Sequence, residues 1–92
     1  MGRLTLNLSG ARVRRTDLSD ADLSGANLSR ADCSYASFRR ANLKDAILDG
    51  TILVGADLTE AKNLAWSQMK SAVIDETTIL PDYLTRERVS AE

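Results

Sequence analysis

Apolar residues recur every five positions through the first two thirds of the chain. Leu8, Val13, Leu18, Leu23, Leu28, Cys33, Phe38, Leu43, Leu48, Leu53 and Leu58 each stand third in consecutive five-residue blocks that begin at Leu6. After Leu6 the residue opening each block is small: Ala11, Thr16, Ala21, Ala26, Ala31, Ala36, Ala41, Ala46, Thr51 and Ala56. The remaining positions carry mostly Asp, Asn, Ser, Arg, Lys and Gly, which suit turns and solvent. A period of five winds apolar residues around every side of a helix, because each step advances about 140°. On a straight strand it throws alternate residues onto opposite faces. Every third-position side chain points inward only if the chain turns a corner in each block, and that predicts a solenoid whose coils stack about 4.8 Å apart.

The tandem A(D/N)LSX blocks resemble the pentapeptide repeat family over about Leu6 to Ala61. The resemblance implies an all-β solenoid, a right-handed quadrilateral parallel β-helix with four blocks per coil and here about three coils. Charge spacing supports four sides. An offset of twenty pairs Arg12 with Asp32, Asp20 with Arg40 and Arg40 with Glu60, all opposite in sign. An offset of fifteen pairs Arg15 with Arg30, Asp17 with Asp32 and Asp45 with Glu60, all alike, against one opposite pair, Arg30 with Asp45. Cross-strand neighbours of opposite charge help, and like charges cost, by a few tenths of a kcal/mol.

The register fails at Asn63, which divides the chain into a repeat solenoid over 1–63, a capping segment over 64–81 and a polar tail over 82–92. Leu64 to Ala72 reads as a short amphipathic helix that offers Leu64, Met69 and Ala72 to one side and covers the C-terminal coil. Two degenerate blocks follow, with Ile74 and Ile79 expected inward, and Tyr83 and Leu84 are expected to pack back on the body. No comparable cover precedes Leu6. The first coil is expected to be covered by a second copy, as a weak homodimer through Leu4, Leu6 and Leu8, unless the chain belongs to a longer protein or Met1 to Thr5 fold across the end.

Composition narrows the chemistry. Twelve basic against thirteen acidic residues give a net charge of −1, so bulk charge argues for neither nucleic acid nor a membrane surface. No apolar run approaches the roughly 18 residues of a membrane span, and polar sequence follows Met1-Gly2-Arg3-Leu4 where a signal peptide would be apolar; a cytoplasmic protein is expected. The chain has one cysteine and no histidine, which removes an internal disulfide, the commonest metal ligand and the commonest general base. No enzyme activity, cofactor, metal or small-molecule substrate is expected. Asp17, Asp22, Asp32 and Asp57, with Asn7, Asn27 and Asn42, hold second positions and read as solvated turn residues. Cys33 and Phe38 hold third positions and read as core. Gly10, Gly25, Gly50 and Gly55 close blocks, where a turn explains them. The basic cluster of Arg12, Arg14 and Arg15 with Arg39 and Arg40 could contact phosphate, but it has Asp32, Asp20 and Glu60 among its stacked neighbours and reads as charge-paired.

The positions that break the outward polar pattern are Ile47, Ile52 and Val54, and a twenty-residue stack brings Tyr35 and Ser34 over Gly55 and Val54. Unless the C-terminal helix or the Tyr83-Leu84 segment covers them, Tyr35, Ile47, Ile52 and Val54 are the candidate partner surface of a non-catalytic interaction or scaffold module, with an unidentified protein as partner. The alternative comes from the resemblance, since some family members mimic DNA and bind topoisomerases such as gyrase. That role implies a long, strongly negative rod.

Overall fold

The computed structural model describes residues 6–84. Isolated parallel bridges join each block to the block twenty residues on: Asn7 to Asn27, Arg12 to Asp32, Asp17 to Ser37 and Asp22 to Asn42, then Asn27 to Ile47, Asp32 to Ile52, Ser37 to Asp57 and Asn42 to Lys62. Four blocks thus make one coil, and the solenoid has four sides. The first side carries blocks 6–10, 26–30 and 46–50, the second 11–15, 31–35 and 51–55, the third 16–20, 36–40 and 56–60. The fourth carries 21–25, 41–45 and the residues from Ala61.

One hydrogen-bond scheme serves every block. The second-position amide donates to the first-position carbonyl of the coil before, as Asn27 to Leu6 and Ile52 to Ala31 do. The third-position amide donates to the second-position carbonyl of the coil after, as in Leu28 to Ile47. Each corner is closed by a bond from a first-position amide to the preceding third-position carbonyl, for example Ala31 to Leu28 at 3.0 Å. The residue before that amide lies in the left-handed region, whether glycine, as at Gly10 and Gly55, or not, as at Arg15, Asp20, Arg30, Tyr35, Arg40, Asp45 and Glu60. This is the arrangement of a type II turn.

The period of five places the third and first positions inside. Leu23, Leu28, Cys33, Phe38, Leu43, Leu48, Leu53 and Leu58 are buried, as are the small residues from Ala26 to Ala61. Leu8, Val13 and Leu18 are half-buried, because no described coil stacks on their far side. Thr51 is wholly buried, and its hydroxyl donates to the Leu28 carbonyl at 2.6 Å, so the polar group enters the core satisfied.

The C-terminal end closes differently from the sequence expectation. The helix α1 spans only Trp66–Met69. A single turn is not stable alone; side chains hold it in place. The Gln68 amide accepts from the Ala65 N–H through Oε1 and donates through Nε2 to the Leu43 and Ala46 carbonyls at 2.8 and 2.9 Å. The Ala46 carbonyl would take a backbone amide if the repeat continued, and Gln68 supplies the donor instead. Tyr83 plays the same part at Ala61, whose carbonyl accepts from its hydroxyl, while that oxygen accepts from the Leu64 N–H at 3.1 Å. Leu64, Met69 and Leu84 are buried over the last coil, and Ala72 packs half-buried beside them. The Trp66 Nε1–H is buried without an acceptor among the described residues.

Pairing resumes at Val73, bridged to Ile52, and at Ile79, bridged to Asp57. These offsets are twenty-one and twenty-two, so one residue is added before each bridge. The second addition corrects the frame read from the sequence. Thr78, buried at 3%, takes the first position and bonds the Leu53 carbonyl, and Leu80 takes the inward third position. Ile79 accordingly faces out, 51% exposed, while Ile74 is partly buried as expected. The added residue sits in the turn that Asp75 closes by accepting from the Thr77 amide and hydroxyl. Leu4 and residues 85–92 of the polar tail lie outside the described residues.

Candidate functional site

The outward aspartates and asparagines serve the turns. Asp17, Asp22, Asp32 and Asp57, like Asn7, Asn27 and Asn42, accept from the amide two residues on. The Ser19 hydroxyl and amide hold the Asp17 carboxyl below the usual range, and Ser34 does the same for Asp32. Burial opposes ionisation at Asp57, yet the Thr59 hydroxyl and amide, with Arg39, keep its carboxyl low. Cys33 is fully buried, and burial, with Asp32 adding to it, pushes its thiol up to about 12, the opposite of an activated nucleophile. Among the described residues no three His, Cys, Asp or Glu side chains converge as metal ligands.

Arg14, Arg39 and Arg40 are ion-paired, though not always as the offset of twenty predicts. Arg40 grips Asp20 through two bonds of 2.7 and 2.9 Å, and this contact holds the Asp20 carboxyl low. Arg39 reaches Asp57 at 3.0 Å, and Glu60 acts on Arg40 only at longer range. Asp32 is met at 3.6 Å by Arg14, not by Arg12, which stands directly over it in the ladder. Arg14 to Asp32 and Arg39 to Asp57 share one offset of eighteen, from a fourth-position arginine to the second-position aspartate one coil on, while Arg40 and Asp20 pair within one column.

The second side is unlike the other three. Its middle column runs Arg12, Asp32, Ile52, Val73, and its corner columns run Arg14, Ser34, Val54 and Arg15, Tyr35, Gly55. The Tyr35 ring lies on Gly55: a Cβ at residue 55 would overlap Cδ1 and Cε1 of the ring and stand 3.2 Å from its Cγ. Arg15 lies over the ring with its guanidinium carbon 5.1 Å from the centroid, and Arg14 stands at 5.9 Å. Tyr35 is nonetheless 49% exposed and has φ of 61°. A bulky aromatic in the left-handed region costs conformational energy. The corner turn imposes that conformation here as at every block end, and it sets a large ring at the surface between a glycine seat and a cation.

Ile52 and Val54 are partly exposed beside it, and Val73, which the sequence reading did not single out, extends the apolar column at 47% exposure. Ile47, 44% exposed, stands on the first side across the Asp49-Gly50 corner. Among the described residues, 64–84 close the core and leave these side chains open. At the other end Leu6 is 49% exposed and Leu8 half-buried. No described helix is long and apolar enough to cross a membrane.

Comparison with known proteins places this geometry. Eight copies of the pentapeptide repeat match the chain over residues 7–45 and 36–74. A solved pentapeptide repeat protein from the cyanobacterium Cyanothece 51142 is 33% identical, with a TM-score of 0.67 over 80% of this chain and 53% of that one. A pentapeptide repeat protein of the Arabidopsis thaliana thylakoid lumen is 24% identical, with a TM-score of 0.63 over 94% of this chain and 70% of that one. The chain thus spans about half the length of the cyanobacterial protein. No curated protein matches the sequence.

Proposed function

The chain belongs to the pentapeptide repeat family, and from that premise we propose that it is a non-catalytic protein-interaction module, a right-handed quadrilateral β-helix in the cytoplasm, whose second side meets a protein partner. The observation that carries the reading is Tyr35, a half-exposed ring fixed between Arg15 and Gly55 beside Ile52 and Val54. Rigid aromatics ringed by apolar and charged neighbours are the side chains that dominate protein interfaces, because little rotamer entropy is lost when they are covered. The buried thiol of Cys33 and the turn-bound aspartates among the described residues support the non-catalytic reading.

A photo-crosslinking residue placed at position 35, and separately at Lys44 on the fourth side, tests this in the native host. A discrete adduct from position 35 and none from position 44 is the expected result. Equal labelling at both, or none at either, refutes the reading. The DNA-mimic alternative requires a continuous negative surface, which the arginines of the second side interrupt. Added protein is expected to leave gyrase supercoiling unchanged.

A further inference from the structure

The second side is graded along the solenoid axis, and the gradient specifies a ligand. Arg12, Arg14 and Arg15 crowd the first coil. Asp32 offsets one of these charges through Arg14, and Arg15 is spent on the Tyr35 face, which leaves its charge uncompensated. The Arg12 guanidinium has no ion-pair partner among the described residues. One coil on stands Tyr35, and two and three coils on stand Ile52 with Val54 and then Val73. Carboxylates return only in the last coil, at Asp75 and Glu76. No other side combines an excess of cations at one end with an apolar column at the other.

We propose, building on the interaction-module reading, that the second side binds an extended peptide segment lying along the solenoid axis, with acidic residues on Arg12 and Arg15 and apolar residues on Tyr35, Ile52 and Val54. The spacing follows from the fold. Two coil steps at about 4.8 Å separate Arg12 from Ile52 along the middle column by about 10 Å, and an extended chain covers that in about three residues. Side chains of an extended chain share a face only at even spacings, so the matching segment carries its apolar residues two or four positions from its acidic ones. A nucleic acid would satisfy the arginines and leave the apolar column in water, so a peptide is the better complement.

The test uses the full chain, labelled with nitrogen-15, and three synthetic decapeptides. The first has two acidic residues at alternate positions, each followed four positions on by an apolar one; the second has lysines for the acidic residues; the third has serines for the apolar ones. The first is expected to shift amides of residues 12–15, 32–35 and 52–54, with at least tenfold weaker binding of each control and weakening as salt is raised. Arg12→Glu with Arg15→Glu is expected to move the preference to the lysine peptide. Equal binding of the lysine peptide, shifts centred on the third or fourth side, or no shift at millimolar peptide each overturn the proposal. Crosslinking from position 35 together with no peptide binding would leave the module reading standing and remove this assignment alone.

Discussion

Replacing Gly55 by Ala probes the seat of Tyr35 directly. Two penalties fall on the substitution. Residue 55 has φ of +71°, where a Cβ costs about 1–2 kcal/mol. The new methyl group also overlaps Cδ1 and Cε1 of Tyr35, so the ring must leave its place. That forfeits its contact with Arg15, worth about 0.5–1 kcal/mol at an exposed site. Reduced freedom of the unfolded chain returns about 0.4–1 kcal/mol. The net loss is about 1–2 kcal/mol. Gly10 supplies the control, since its φ is +70° and nothing among the described residues lies within 4 Å of an added Cβ. Gly10→Ala carries the backbone penalty alone, so the two variants should differ by about 0.5–1 kcal/mol, or roughly 2–8 °C in midpoint for a chain of this size. Urea and thermal melts followed by circular dichroism measure both, and the near-ultraviolet tyrosine signal should change only in Gly55→Ala. Equal destabilisation with unchanged near-ultraviolet signal would refute the stacked arrangement.

Other consequences follow from the same stack. Leu43→Ala empties a fully enclosed site, 1% exposed, and should cost about 2–5 kcal/mol in a urea melt, enough to unfold much of the population. Thr51→Val keeps the shape but removes the donor to the Leu28 carbonyl, which retains only the Ala31 amide; a loss of about 1 kcal/mol is expected by denaturant titration. Because the carboxyls of Asp17, Asp20, Asp32 and Asp57 are lower in the folded chain than unfolded, their contribution is full above the unfolded value of about 3.9 and is lost as pH falls through the depressed folded values. Melting temperature should be level down to about pH 5 and drop below pH 4, with a smaller drop in Asp20→Asn. Native Cys33 should resist a thiol reagent at pH 8 and react once the chain is unfolded in urea; rapid labelling of the folded protein would contradict its burial.

What the sequence made legible is what the stack repeats. The inward third and first positions, the coil of twenty residues, the turn role of the aspartates and Tyr35 over Gly55 all follow from one register applied again and again, because each coil offers its neighbour the same backbone donors and acceptors. Where the register slips, the sequence carries little signal. One residue added in the Asp75 turn moves Ile79 from inside to outside, and it shows only in the bridge of Ile79 to Asp57 and the bond from the Thr78 hydroxyl to Leu53. Gln68 and Tyr83 stand in for missing ladder amides through side chains, a use no periodicity encodes. The pairing of Asp32 with Arg14 crosses between columns, at an offset of eighteen. Arg15 over Tyr35 was available from the offset of twenty, but a search for opposite charges passes over a cation and a ring.

The central claim, that the second side is the working surface, is tested most directly by the two tyrosines. Tyr35 and Tyr83 are equally open, at 49% and 50% exposed, and lie on different parts of the molecule. Hydroxyl-radical oxidation of the purified chain should mark both rings. Repeated on the chain inside its native host, the oxidation of Tyr35 should fall several-fold while that of Tyr83 holds. Unchanged oxidation of Tyr35, or protection of Tyr83 in its place, would contradict the account.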